Sequence, residues 1–94
     1  MSKAAYLADL RRRMQDLEAR MAADKRRLTG GTPRDKVRAA GDLAVVESRL
    51  AETKKKLSRL ESEPEGAWEN FKTEIAEDLD YIESDFERWL EKQG

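Results

Sequence analysis

Three runs of consecutive basic residues are the part of this sequence whose side chains could do recognisable chemistry. Each run places three cations side by side, a composition that attracts the phosphates of nucleic acids or an anionic membrane surface. The runs are Arg11-Arg12-Arg13, Lys25-Arg26-Arg27 and Lys54-Lys55-Lys56. Three consecutive helical residues spread over about 200°, so no run forms one tight patch. Residues 1–62, which contain all three runs, have one aromatic residue, Tyr6, so there is little aromatic interleaving for nucleic-acid bases. Nucleic-acid or membrane binding is therefore an alternative function and not the leading one.

The residue types give little support to catalysis or metal binding. The 94 residues contain no cysteine and no histidine, which excludes disulfides, zinc fingers, thiol chemistry and histidine acid–base catalysis. Glu77, Asp78 and Asp80 could collect a cation, but they lack the spacing of a calcium loop. Gly30-Gly31 is followed by Thr-Pro, which indicates a turn and not a phosphate-binding loop. We therefore expect a non-enzymatic protein with no catalytic residue, cofactor or metal.

Two breaks divide the chain into three helical segments within a single domain, residues 1–94. The first break, at residues 29–33, offers Gly30 or Gly31 for a left-handed helix end, Thr32 as an N-cap and Pro33 as a first helical residue. The second break, at residues 62–66, contains Pro64, which cannot continue a helix without losing a backbone hydrogen bond. The predicted helices span 3–28, 33–62 and 64–92. A kinked continuous helix across Pro64 stays open as an alternative.

The apolar residues of the first two segments recur at alternating steps of three and four, which is the spacing of a coiled-coil seam. The seam residues are Leu7, Leu10, Met14, Leu17, Met21 and Leu28, and then Ala39, Leu43, Val46, Leu50, Leu57 and Leu60. Asp24, Lys36 and Thr53 interrupt the seam, and we expect Thr53 to bond to a carbonyl one turn earlier. A flanking row of modest side chains predicts that a third helix approaches closely. This row is Val37, Ala44, Ala51 and Ser58.

The third segment carries an aromatic stripe with a different spacing. Its apolar residues are Trp68, Phe71, Ile75, Leu79, Ile82, Phe86 and Trp89. The steps of 3, 4, 4, 3, 4 and 3 create an eleven-residue stretch from Trp68 to Leu79, which predicts local unwinding of a left-handed supercoil. We expect Trp68, Phe71, Phe86 and Trp89 to form the packing face of this helix. A groove for a cofactor or partner is the alternative for these aromatic residues.

Together these patterns predict an all-α fold, an elongated three-helix bundle with up-down-up antiparallel topology. Charge is sorted along the chain: residues 1–28 carry net +4, residues 29–62 carry +3 and residues 63–94 carry −8. We expect the acidic third helix to fold onto the basic hairpin. The specific expectation places Arg11–Arg13 near Glu74, Glu77 and Asp78, and Lys25–Arg27 near Glu83, Glu87 and Glu91.

Two short stretches resemble a bacterial family of short cytoplasmic coiled-coil proteins. The segment Gly66-Ala67-Trp68-Glu69-Asn70-Phe71-Lys72 is similar to the family's Gly-x-Trp-Glu-x-Leu-Lys stretch, with phenylalanine where leucine is common. The start, Met1-Ser2-Lys3-Ala4-Ala5-Tyr6, is also similar, whereas the basic runs here are richer in arginine. The resemblance implies a small helical protein with a stress-response label, no established enzymatic activity and no catalytic residues to transfer.

The sequence as a whole favours an interaction or scaffold role. The longest apolar runs are a few residues, so we expect no transmembrane segment and a cytoplasmic location. We expect a protein partner or a second copy of the chain, with the oligomeric state open. The alternative is an anion-binding module, in which the basic hairpin meets nucleic acid or a membrane and the acidic helix acts as an internal cover.

Overall fold

Three long helices form an elongated bundle in the computed structural model, which describes residues 2–26 and 32–93. The helices are α1 (Lys3–Arg26), α2 (Pro33–Glu61) and α3 (Glu65–Gln93). The molecule measures 51 × 17 × 17 Å along its principal axes. The predicted all-α, elongated three-helix bundle is confirmed. The glycine turn expected at Gly30 or Gly31 lies outside the described residues, and so does Arg27.

Capping interactions mark where α2 begins and ends. The Asp35 N–H donates to the Thr32 hydroxyl over 3.2 Å, and the Thr32 N–H donates to the Asp35 carboxylate over 3.3 Å. This reciprocal pair, with Pro33 at the first helical position, satisfies donors that have no partner within the helix. At the other end, the Lys3 ammonium donates to the carbonyls of Glu61 and Glu63 over 3.2 and 2.6 Å. A turn at residues 62–64 therefore separates α2 from α3, and no kinked helix runs across it.

Long-range contacts define the helix directions. The start of α1 lies against the end of α2, through Lys3 and Glu61, so these two helices are antiparallel. The end of α3 lies against the start of α2, where the Trp89 indole N–H donates to the Ala39 carbonyl over 2.8 Å. Tyr6 packs edge-on against Trp68 with ring centroids 5.6 Å apart, so α1 and α3 run parallel. The topology is up-down-up.

The predicted seams of α1 and α2 form the core. Every described aliphatic seam residue from Leu7 to Leu57 is buried, and Leu60 is partly buried against the same cluster. Thr53 is 4% exposed and its hydroxyl donates to the Arg49 carbonyl over 3.1 Å, as expected for a seam threonine. Lys36 is exposed and Asp24 is partly exposed, both near the end of the bundle.

The prediction for the third helix was wrong at one residue. Trp68, Phe86 and Trp89 are buried, but Phe71 is 43% exposed. The buried residues of α3 step by 7, 4, 3, 4 and 3, which is a regular heptad seam that passes through Lys72 instead of Phe71. Lys72 is partly buried, and its ammonium forms an ion pair with Glu69 over 2.7 Å. No eleven-residue stretch is needed, because a long lysine stem can occupy the edge of a seam.

The flanking row on α2 also differs from its prediction. Val37, Ala44, Ala51 and Ser58 are all exposed, so no third helix approaches them. Instead α3 packs on the other flank of the α2 seam, where Arg49 and Lys56 reach its carboxylates. The row therefore belongs to the outward side of α2.

Candidate interaction surfaces

Acidic side chains of α3 contact basic side chains of both helices of the hairpin. The Arg13 guanidinium of α1 lies 2.8 Å from the Asp80 carboxylate and 3.1 Å from the Glu83 carboxylate. Partial burial disfavours the charged form of Arg13 and lowers its pKa. The hydrogen bonds to Asp80 and Glu83 outweigh this effect, so the pKa of Arg13 is raised. The expected docking of the acidic helix on the basic hairpin is present.

The α2 side of this interface repeats the arrangement. The Lys56 ammonium lies 3.0 Å from both the Glu74 and the Asp78 carboxylates. Hydrogen bonds to Asp78 and Glu74 raise the pKa of Lys56. Arg49 forms an ion pair with Asp85, whose side chain is only 14% exposed. Three hairpin cations thus hold five carboxylates of α3.

The individual pairings differ from the predicted ones. Within the described part of the chain, Arg13 is the one residue of Arg11–Arg13 that pairs with α3. It does so at Asp80 and Glu83, beyond the expected Glu74–Asp78 stretch. Arg11 instead pairs with Glu61 of α2, and Arg12 pairs with Asp9 of its own helix. Three consecutive residues cover too wide an arc to face one neighbour, so each run divides among different partners.

The second and third basic runs divide in the same way. Lys25 lies 3.6 Å from Glu47 of α2 instead of near Glu83–Glu91, and the Arg26 guanidinium donates to the Ala22 carbonyl over 3.2 Å. Lys54 lies 2.7 Å from Glu18 of α1, Lys56 pairs with α3, and Lys55 is exposed. Within residues 2–26 and 32–93, six of the eight predicted basic-face residues are in ion pairs. These residues do not form one continuous basic patch.

The buried aromatic residues pack against one another and against side chains of α1. The rings of Phe86 and Trp89 stack with centroids 5.9 Å apart, and the Arg20 guanidinium lies 5.3 Å from the centre of the Phe86 ring. Trp68 is sealed by Tyr6. These contacts are those of packing residues, as the sequence predicted for Trp68, Phe86 and Trp89.

Phe71 lies in a shallow groove between α2 and α3. The groove has a volume of about 150 Å³ and is lined by Lys56, Arg59, Leu60, Phe71, Glu74 and Ile75. A cavity of this size is well below the volume of pockets that enclose small-molecule ligands, which is about 300–1,000 Å³. Phe71 is therefore an exposed residue beside the core, and its groove is too small to enclose such a ligand.

The sequence reasoning did not anticipate three exposed apolar residues: it placed Val37 against a third helix, and it did not single out Val45 or Tyr81. Val37 is 73% exposed and Val45 is 53% exposed on the outward side of α2, and Tyr81 is 63% exposed on α3. A signal for the α2 residues was available. Val37, Gly41, Ala44, Ser48 and Ala51 step by four, three, four and three, which is a second heptad pattern made of small uncharged residues.

The described residues include neither a metal cluster nor a helix able to cross a bilayer. Residues 2–26 and 32–93 contain no group of three or more carboxylate, cysteine or histidine side chains placed to hold a metal ion. In the same ranges no helix has the length together with the apolar character of a membrane span. Of the acidic residues considered for a cation, Asp78 and Asp80 are in ion pairs with Lys56 and Arg13.

Comparison with known proteins gives no match to a family model, a curated protein or a solved structure.

Proposed function

We propose that the chain is a non-enzymatic interaction or scaffold protein that presents its long charged surface to a protein partner. One observation supports the proposal: six of the eight described residues of the three basic runs are engaged by carboxylates of the same chain. Arg13 and Lys56 each hold two α3 carboxylates. An intramolecular carboxylate competes directly with a nucleic-acid phosphate for the same cation.

The outward side of α3 offers a surface suited to a protein. Tyr81 lies exposed beside Ser84, Glu87, Arg88 and Glu91, which together line a shallow depression. Exposed tyrosine and arginine are enriched in protein interfaces, because each combines apolar area with a polar group. The resemblance to the coiled-coil family adds a proposed cytoplasmic location and an association with stress, which quantitative proteomics before and after stress would test.

A pull-down with the intact chain, with and without nuclease, tests the interaction role. We expect the same proteins to be captured in both samples, and Tyr81→Ala to reduce their recovery several-fold. Ala19→Ser, at an exposed position of α1, is the matched control and is expected to retain them. Capture of nucleic acid alone, with every protein lost after nuclease treatment, would overturn the proposal.

The anion-binding module remains the second candidate because α3 covers only one side of α2. A depression on the uncovered side is lined by Ala51, Lys54, Lys55, Ser58 and Arg59. Fluorescence anisotropy with a labelled single-stranded RNA, and sedimentation with anionic phosphatidylserine vesicles, test this function on the full chain. Binding that increases in a Glu74→Gln, Asp78→Asn variant would favour an internal cover. Absence of binding by both proteins at physiological salt would rule this candidate out.

A further inference from the structure

The outward face of α2 is an unusually uncharged surface in a chain that is 41% charged. We define this α2 face by its exposed residues Val37, Gly41, Ala44, Val45, Ser48 and Ala51. It extends over residues 37–51, about 21 Å of helix. The solvated side of a bundle helix normally carries polar and charged residues. Two valines more than half exposed therefore need another explanation.

Gly41 points to the same face. Glycine in the interior of a helix destabilises it relative to alanine, so its presence on this face needs an explanation. Here a Cβ at Gly41 would meet no atom within 4 Å, so no contact within the chain requires a residue without a side chain at this position. A reason outside the monomer is the close approach of another backbone, which small residues at heptad spacing permit.

Charged residues near the two ends of the α2 face indicate which partner would bind there. Arg38 lies seven residues before Val45, and Glu52 lies seven residues after it. Among the described residues, neither Arg38 nor Glu52 has an ion-pair partner, whereas neighbouring Arg49 and Lys56 do. A second α2 packed antiparallel about the level of Val45 brings each Arg38 to the Glu52 of the second copy. The face is thus complementary to itself under a twofold rotation.

We propose that the chain forms a homodimer in which the α2 faces of two copies pack antiparallel, with the twofold axis beside Val45. This pairing places Gly41 opposite Ala51 of the second copy and Ala44 opposite its Ser48. Small residues therefore face small residues along the interface. The proposal deepens the proposed interaction role, on which it rests, by naming the surface and the partner.

The remaining charges at the edge of the face are compatible with this arrangement. The Glu47 residues of the two copies come near each other across the axis, but each Glu47 is paired with Lys25 of α1 in its own chain. Lys55 lies opposite Val37 of the second copy, and its aliphatic stem can cover the valine while its ammonium stays in water. A single helix pair falls at the low end of specific interfaces, which bury about 1,200–2,000 Å². The concentration series that tests the dimer should therefore extend to high micromolar concentrations.

Sedimentation equilibrium of the full chain over a concentration series tests the dimer. Gly41→Leu should weaken dimerisation roughly tenfold or more while raising the melting temperature of the monomer, because leucine favours the helix. Ala19→Leu on α1 is the matched control, expected to leave dimerisation unchanged. A chain that stays monomeric at all concentrations overturns the dimer, and so does a dimer that Gly41→Leu leaves intact.

Charge exchange tests the register. Arg38→Glu alone and Glu52→Arg alone should each weaken the dimer roughly tenfold, because two attractive pairs become two repulsive ones. The double variant restores both pairs and should recover the original dissociation constant. Additive weakening in the double variant would contradict the antiparallel pairing.

Cross-linking distinguishes the direction of the helices, since the chain has no cysteine of its own. Val45→Cys places one thiol next to the axis, and a short bismaleimide should join two copies. Ser58→Cys places its thiols roughly 40 Å apart in the antiparallel dimer and should give none. Equal cross-linking of both variants would indicate parallel helices and overturn the proposal. If the homodimer is not found, the nuclease-treated pull-down can still capture other proteins. The two experiments therefore distinguish a failure of the dimer from a failure of the proposed interaction role.

Discussion

Phe86 and Phe71 offer a direct test of the α3 seam, because the same substitution on the same helix should have very different effects. Phe86 is 0% exposed and stacked on Trp89, whereas Phe71 is 43% exposed at the edge of a groove. Replacing a fully buried phenylalanine by alanine destabilises by about 3–5 kcal/mol, since transfer and cavity terms add. At Phe71 only part of the side chain is removed from water, and no enclosed cavity forms, so we expect about 1 kcal/mol.

Urea unfolding followed by circular dichroism at 222 nm measures both changes at one protein concentration. A 94-residue domain has a total stability of about 5–14 kcal/mol, so Phe86→Ala could leave little folded protein. The milder pair Phe86→Leu and Phe71→Leu keeps the comparison measurable, with an expected loss of about 1–2 kcal/mol at Phe86 and below about 0.5 kcal/mol at Phe71. Equal losses, or a larger loss at Phe71, would refute the regular seam through Lys72.

Three further substitutions test other parts of the fold. Thr32→Ala removes the α2 cap and should lower the unfolding free energy by about 1 kcal/mol, measured by urea denaturation. Thr53→Val removes a buried hydroxyl that donates to the Arg49 carbonyl. This carbonyl also accepts a backbone N–H of the helix and stays satisfied, so the denaturation midpoint should stay equal or rise. Lys56→Met should be destabilising at neutral pH. Because the pKa of Lys56 is raised in the folded protein, its ion pairs contribute fully to stability below the ordinary pKa of 10.5. This contribution to the unfolding free energy is lost as pH rises through the raised, folded-state pKa. The difference between Lys56→Met and the unmodified chain should therefore shrink when measured at strongly alkaline pH.

The seams of α1 and α2 were predictable because position and residue type agree. Leu43 and Leu50 are large, apolar and on the same heptad positions, so pattern and hydrophobicity lead to one answer. In α3 the two criteria conflict at one turn. Hydrophobicity favours Phe71 and the period favours Lys72, and the bundle follows the period because the helix backbone fixes which positions face the core.

The ion-pair partners were less predictable than the docking of the helices. The −8 charge of residues 63–94 against the +7 of residues 1–62 indicates that α3 meets the hairpin. Which carboxylate Arg13 reaches depends on the vertical offset of the helices, and a shift of one turn is about 5 Å. Long flexible side chains tolerate such a shift, and exposed pairs are worth only about 0–1 kcal/mol, so charge alone does not determine the offset.

The outward side of α2 shows a third kind of difference. The row Val37, Ala44 and Ala51 was correctly recognised as small, but it was assigned to the wrong neighbour. Within one chain, helix α3 can pack on either flank of the α2 seam, and the sequence pattern of α2 alone does not choose between them. Arg49 and Lys56, on the opposite flank, have carboxylate partners on α3 that the other flank lacks.

The central prediction is that α3 stays docked on the basic hairpin and keeps Arg13, Arg49 and Lys56 in ion pairs. Pulsed electron–electron double resonance between spin labels at Gln15→Cys and Ser84→Cys, exposed positions on α1 and α3, measures this directly. We predict one narrow distance distribution that does not change when excess single-stranded RNA or anionic vesicles are added. A second population at longer distance, growing with the added anion, would contradict the account and favour a helix that opens to release the basic hairpin.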